Sequence, residues 1–115
     1  MLSKEQRLDR VAFAAVFKKG RRAHMPGLQL VYLKAPGFRA SAVVGKKVAA
    51  SAVKRNLLRR RLYAALAGAN IQGGHVIVVA KSPLGTYSYA RVRDEVNAAL
   101  HQVAGQTVGF KGTSR

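Results

Sequence analysis

The chain has 115 residues and a formal net charge of +17, with 21 Lys and Arg against 4 Asp and Glu. That length suits one small domain, and the absence of cysteine excludes a disulfide framework or thiolate metal site and suits a reducing cytoplasm. The polar start MLSKEQRLDR lacks the apolar run of a secretory signal, and no stretch approaches the ~20 apolar residues that cross a bilayer.

Asp9 reads as the N-cap of a first helix over about residues 10–19, closed by Gly20 at the C′ position. Phe13 and Phe17, four apart, share one face with Val16 beside them. Lys18, Lys19, Arg21 and Arg22 gather at the C-terminal end, where the helix dipole favours cations. Leu28 to Ala35 reads as a strand, with Leu28, Leu30 and Tyr32 on one face and Val31 and Leu33 on the other. Pro36-Gly37 supplies a turn, and a second strand from about Arg39 to Lys46 is expected to pair back as a hairpin. Ser51 caps a second helix that fades at Gly68-Ala69-Asn70.

Gly73-Gly74 precedes HVIVVA, a continuous apolar run typical of a strand buried on both faces or at a sheet centre. A last helix starts near Ser88, where Tyr89, Val92, Val96, Ala99, Leu100 and Val103 form a stripe of 3.6-residue period that packs on the sheet. From Gly105 the Gly-rich, basic tail GQTVGFKGTSR is expected to be flexible. The order is helix, strand, strand, a further short strand where one fits, helix, strand, helix. It predicts an α+β sandwich of helices on a mostly antiparallel four-stranded sheet, one domain over residues 1–104 and a tail over 105–115.

The acids are Glu5, Asp9, Asp94 and Glu95, so residues 10–93 contain none. Folding crowds the uncompensated cations, and the repulsion is relieved by an anionic partner, for which a phosphate polymer fits best. The charge concentrates in SAVKRNLLRRRLYAAL, residues 51–66. On a helical wheel Leu58, Leu62, Ala65 and Leu66 share one arc, flanked by Lys54 and Arg61 on one side and Arg55 and Arg59 on the other. Arg60 and Asn56 sit opposite. Lys46 and Lys47, at the end of the preceding strand, extend the basic region. Arginine outnumbers lysine on this helix, which suits forked contacts to phosphate oxygens, and no carboxylate is spaced for i,i+4 pairing.

Phe13 and Phe17, beside Lys18, Lys19 and the neighbouring Tyr32, have the composition of a platform on which unpaired bases stack. The same i,i+4 pair also suits a helix core. Intrinsic cleavage is not expected. A two-metal nuclease needs several converging carboxylates, and adjacent Asp94 and Glu95 cannot face one point of a helix with Asp9. His24, His75 and His101 are not spaced as an acid–base pair.

The ordered set of motifs resembles the bacterial ribonuclease P protein component. The matching residues are Arg7-Leu8, Phe13, Val16-Phe17 and Gly20, then Arg39 and Lys46-Lys47, then Arg55-Asn56-Leu57 with Arg59-Arg60. VIVVAK and the Ser88-Tyr89 helix start complete a match over about residues 7–103. Leu57 stands where the family pattern has the second arginine of its Arg-Asn-Arg motif, and Arg61 where an apolar residue is usual.

The resemblance implies a protein cofactor for a catalytic RNA that removes the 5′ leader of precursor tRNA, with Mg2+ bound mainly by RNA and one protein per RNA. It implies RNA-subunit binding by Lys46, Lys47, Lys54, Arg55, Asn56, Arg59, Arg60 and Arg61. It also implies leader binding by Phe13, Phe17, Lys18, Lys19 and Tyr32, and a left-handed βαβ crossover at the basic helix. No catalytic or metal-binding residue, membrane or small-molecule substrate is expected of this chain. A structural RNA-binding protein of ribosomal type fits the composition equally well. A nucleoid protein is disfavoured, since no helix-turn-helix is evident.

Overall fold

Asp9 opens α1 (Arg10–Lys19) by accepting a 2.8 Å hydrogen bond from the Ala12 amide, which satisfies one of the amides a helix start leaves unpaired. In the computed structural model residues 6–69 and 71–104 are described. The predicted 105–115 tail and Asn70 lie outside the described residues, while the second helix ends at Gly68 with Ala69 as its C-cap. Gly20 ends α1, but in extended backbone at φ −72° and not in the left-handed form of a C′ cap. A glycine is needed there for space: a Cβ would lie 2.6 Å from the Val16 carbonyl oxygen and from Val31 Cγ1.

Three strands follow, β1 (Arg21–His24), β2 (Leu28–Leu33) and β3 (Phe38–Val43), then α2 (Ala52–Gly68), β4 (Gly74–Ala80), a 3-10 turn (Ser82–Thr86) and α3 (Tyr89–Ala104). β1 is the further short strand, placed in the cationic stretch after α1. The sheet order is β1-β2-β4-β3. β4 pairs antiparallel with β2 and parallel with β3, and β1 pairs antiparallel with β2.

The expected hairpin between β2 and β3 is therefore wrong: β4 lies between them. Two physical reasons are legible afterwards. Tight hairpins use turns with positive φ, whereas Pro36 holds φ negative, and among the described residues the glycine at positive φ is Gly74, at 116°. HVIVVA, apolar on both faces, belongs inside the sheet, while β3 with its Arg39 and Ser41 suits an edge. β3, α2 and β4 thus form a βαβ unit. β3 ends at Val43, and Lys46 and Lys47 sit in the turn that leads to α2.

One face of the sheet carries α2 and α3. Leu30, Tyr32, Val76 and Val78 meet Leu58, Leu62 and Leu66 of α2 and Val92, Val96 and Leu100 of α3 in the main core. Tyr89, expected in the α3 stripe, is 39% exposed. The other face carries α1 over a small cluster of Val16, Val31 and Ile77, with Leu8, Phe13, Leu33 and Val79 packed around it. Buried Glu95 of α3 accepts from the Gly27 amide at 2.9 Å and from the Tyr87 hydroxyl at 3.0 Å. Lys81 Nζ donates to the Met25 carbonyl at 2.9 Å, so both side chains pin the β1–β2 turn. Among the described residues no helix is long and apolar enough to cross a membrane.

Candidate nucleic-acid interface

Ser51 accepts from the Lys54 amide at 3.3 Å and starts α2 with its apolar row on the sheet. The buried side is wider than the wheel suggests, because Tyr63 also turns inward, its hydroxyl accepting from the Ala42 amide at 3.1 Å. The outward crest is partly apolar: Val53 is 79% and Leu57 42% exposed. Exposed Arg60 shares that crest, and the other cations of the helix line its flanks.

They divide into two groups. Lys46, Lys47, Lys54 and Arg60 are exposed at the surface. Arg55, Arg59 and Arg61 are half-buried and use part of their guanidinium groups internally. Arg55 donates to the Ala49 and Ala50 carbonyls at 3.1 and 2.7 Å, tying down the loop before the helix. Arg59 donates to Asn56 Oδ1. Arg61 reaches the Tyr87 carbonyl at 3.4 Å. A guanidinium has five donors, so these tethers orient each fork and leave donors over. Among the described residues no carboxylate pairs with a cation of α2, while the ion pairs of Arg91 with Glu95 and Arg93 with Asp94 lie within α3.

Arg7 joins this surface from a distance in sequence. Residues 7–8 run along the outer edge of β3: Arg7 bridges Ala40 in parallel, and the Leu8 amide donates to the Ala40 carbonyl at 3.1 Å. The Arg7 guanidinium thereby stands 5.2 Å over the Tyr63 ring. Together with Asn56, Arg59 and Arg60 they line a recess of about 380 Å3. The Arg7-Leu8 pair carried part of the family pattern, but its place beside α2 depends on a long-range bridge that no local signal announces.

On the opposite face of the sheet, Phe13 and Phe17 stack with ring centroids 6.1 Å apart and 10° between planes. Phe13 packs against the small cluster, while Phe17 is 43% exposed. The two alternatives left open by the sequence divide between the two rings. Arg22, outside the predicted site, holds its guanidinium 4.6 Å from the Phe17 centroid and donates to the Phe17 carbonyl. Lys18 and Lys19 are exposed beside it.

Tyr32 does not belong with them. It is 7% exposed within the main core and donates to the Gly73 carbonyl at 3.3 Å, on the face opposite α1. Its strand alternation with Val31 requires this, because α1 covers the Val31 row. Further along the α1 face, His75 lies between Leu33 and Arg39 in the strand register. Burial, then the Arg39 charge, hold its pKa below 6.5, with Asp9 pulling the other way. Among the described residues no three His, Asp or Glu side chains come together to hold a metal ion.

Residues 2–104 match the family model described as Ribonuclease P. The chain is 36% identical over 112 residues to a ribonuclease P protein component of Synechococcus sp. (strain JA-2-3B'a(2-13)), covering 89% of this chain and 84% of that protein. Its fold is similar to the RNase P protein of Staphylococcus aureus, with TM-score 0.74 and 21% identity over 87% of this chain and 95% of that one. It is also similar to the RNase P protein of Thermotoga maritima, with TM-score 0.69 and 22% identity over 84% and 94% of the two chains.

Proposed function

The chain belongs to the ribonuclease P protein family, and from that premise we propose that it is the protein cofactor of a catalytic RNA that removes the 5′ leader of precursor tRNA. In this reading the flanks of α2, with Lys46 and Lys47, grip the folded RNA subunit by its phosphates, a sequence-independent mode suited to guanidinium groups. The Phe13–Phe17 platform with Lys18, Lys19 and Arg22 receives the single-stranded leader, where base stacking tolerates any sequence. Phosphodiester cleavage and Mg2+ belong to the RNA, and the protein contributes position and charge. One protein acts with one RNA, in the cytoplasm.

The observation that carries this reading is the placement of an uncompensated arginine surface and a stacked aromatic pair on different faces of one sheet. Folded RNA and a flexible strand can then be held at once. The test is reconstitution of the full chain with catalytic RNA and precursor tRNA at low magnesium. Release of the leader above the rate of RNA alone, and tighter holding of precursor than of mature tRNA, are the expected results. Cleavage by the protein without RNA would overturn the proposal. Equal affinity for precursor and mature tRNA with the RNA subunit present would point to a structural RNA-binding protein instead.

A further inference from the structure

We propose that the recess between Arg7 and α2 is a nucleotide pocket, which takes one extruded base with its phosphate and favours guanine or uracil over adenine or cytosine. That the nucleotide comes from the catalytic RNA rests on the function proposed above; binding of a free nucleotide does not. At about 380 Å3 the recess lies within the roughly 300–1,000 Å3 typical of small-molecule sites. Its walls are the Tyr63 ring, the Arg7 guanidinium 5.2 Å over its centroid, Arg59, Arg60 and Asn56.

A bare anion site needs charge alone. Here a guanidinium is held within cation–π reach of an aromatic ring, and a guanidinium plane can stack a nucleobase. The polar lining is dominated by three guanidinium groups; the Asn56 Oδ1 already accepts from Arg59 and the Tyr63 hydroxyl from the Ala42 amide. The recess therefore offers donors, and its walls include no carboxylate. A phosphate takes a guanidinium fork in two parallel hydrogen bonds. Guanine presents the O6 and N7 acceptor pair that arginine recognises, and uracil presents carbonyl oxygens. On that same edge adenine and cytosine present an exocyclic amino donor, which would meet donors, whereas guanine's own amino group and N1–H lie away from it. Recruitment of Arg7 by the β3 edge makes the site a product of the fold as well as of the helix.

The test titrates the full chain with GMP, AMP and inorganic phosphate at one ionic strength, followed by backbone amide shifts. GMP is expected to move amides at residues 7–8 and 56–63 and to bind about tenfold more tightly than AMP or phosphate, the scale of one bidentate base contact. Arg60→Ala should weaken GMP and phosphate together. Arg7→Lys keeps the charge and loses the plane, so it should bring GMP to within about twofold of phosphate while phosphate binding persists. Arg93→Ala, an exposed cation on α3, should leave both within about twofold. Equal binding of GMP and phosphate, shifts confined to other residues, or an Arg7→Lys chain with full GMP preference would each overturn the pocket. A chain that supports leader release without GMP preference loses the pocket and keeps the function; GMP preference without leader release does the reverse.

Discussion

Beneath α2 and α3 the sheet meets two helices with rows of Leu and Val, and the core there draws on all four strands. Beneath α1, among the described residues, Val16, Val31 and Ile77 form the buried cluster. The difference starts in composition: α1, RVAFAAVFKK, has alanine at three positions and leaves one of its two phenylalanines nearly half exposed. A thick face can hold the fold while a thin one leaves aromatic area available to a ligand. Substitutions on the two faces should therefore separate stability from binding.

The largest effect is expected on the thick side. Leu62 is fully buried, and Leu62→Ala should cost about 3 kcal/mol of unfolding free energy, read as a lower urea midpoint at unchanged slope. Phe17→Ala on the thin side should lower stability by less, about 1 kcal/mol, because the side chain is already nearly half exposed. Loss of one stacked base should meanwhile weaken single-stranded leader binding by about 2 kcal/mol, some 30-fold in Kd. A large stability loss with intact leader affinity would make the thin face an ordinary core.

Much of this division was legible in the chain. Period 3.6 located all three helices, Asp9 and Ser51 marked two of their starts, and the acid-free middle pointed to a polyanion. What failed was long-range. Alternation placed Tyr32 opposite Val31 correctly, but only the sheet order shows which of those rows α1 covers. The β2–β3 pairing was lost because β4, more than thirty residues later in sequence, competes for the same edge with a better apolar strand. Arg7 was invisible as a neighbour of α2 for the same reason. The internal tethers of Arg55, Arg59 and Arg61 depend on rotamers, which residue spacing does not specify.

Those tethers sharpen the comparison within α2 itself. Arg55→Ala strips donors from the Ala49 and Ala50 carbonyls and should cost about 1 kcal/mol of stability, with a looser loop before the helix. Arg60→Ala should leave the melting temperature unchanged. It should instead flatten the log–log dependence of RNA affinity on salt by ~0.7–0.9 for one lost phosphate contact. An unaltered salt slope for Arg60→Ala would remove that side chain from the interface, and the reverse pattern of the two variants would exchange their roles.

The smallest effect is a pH dependence confined to the thin face. His75 has its pKa lowered from 6.5, first by burial and then by Arg39, against a weaker upward pull from Asp9. The unfolded chain therefore takes up this proton at higher pH than the folded one. The sign follows from linkage: the contribution is fully present above pH 6.5 and is lost as pH falls from there through the folded-state value. Because His75 pairs with Leu33 in the small cluster beneath α1, acidification should raise amide exchange in α1 before it reaches α2 and α3. His75→Gln should flatten that pH response, and Arg39→Ala should move the imidazole titration, followed by NMR, upward toward 6.5. A His75 that titrates at or above 6.5 in the folded chain would abolish the effect, and exchange rising equally in all three helices would show that the two faces unfold as one.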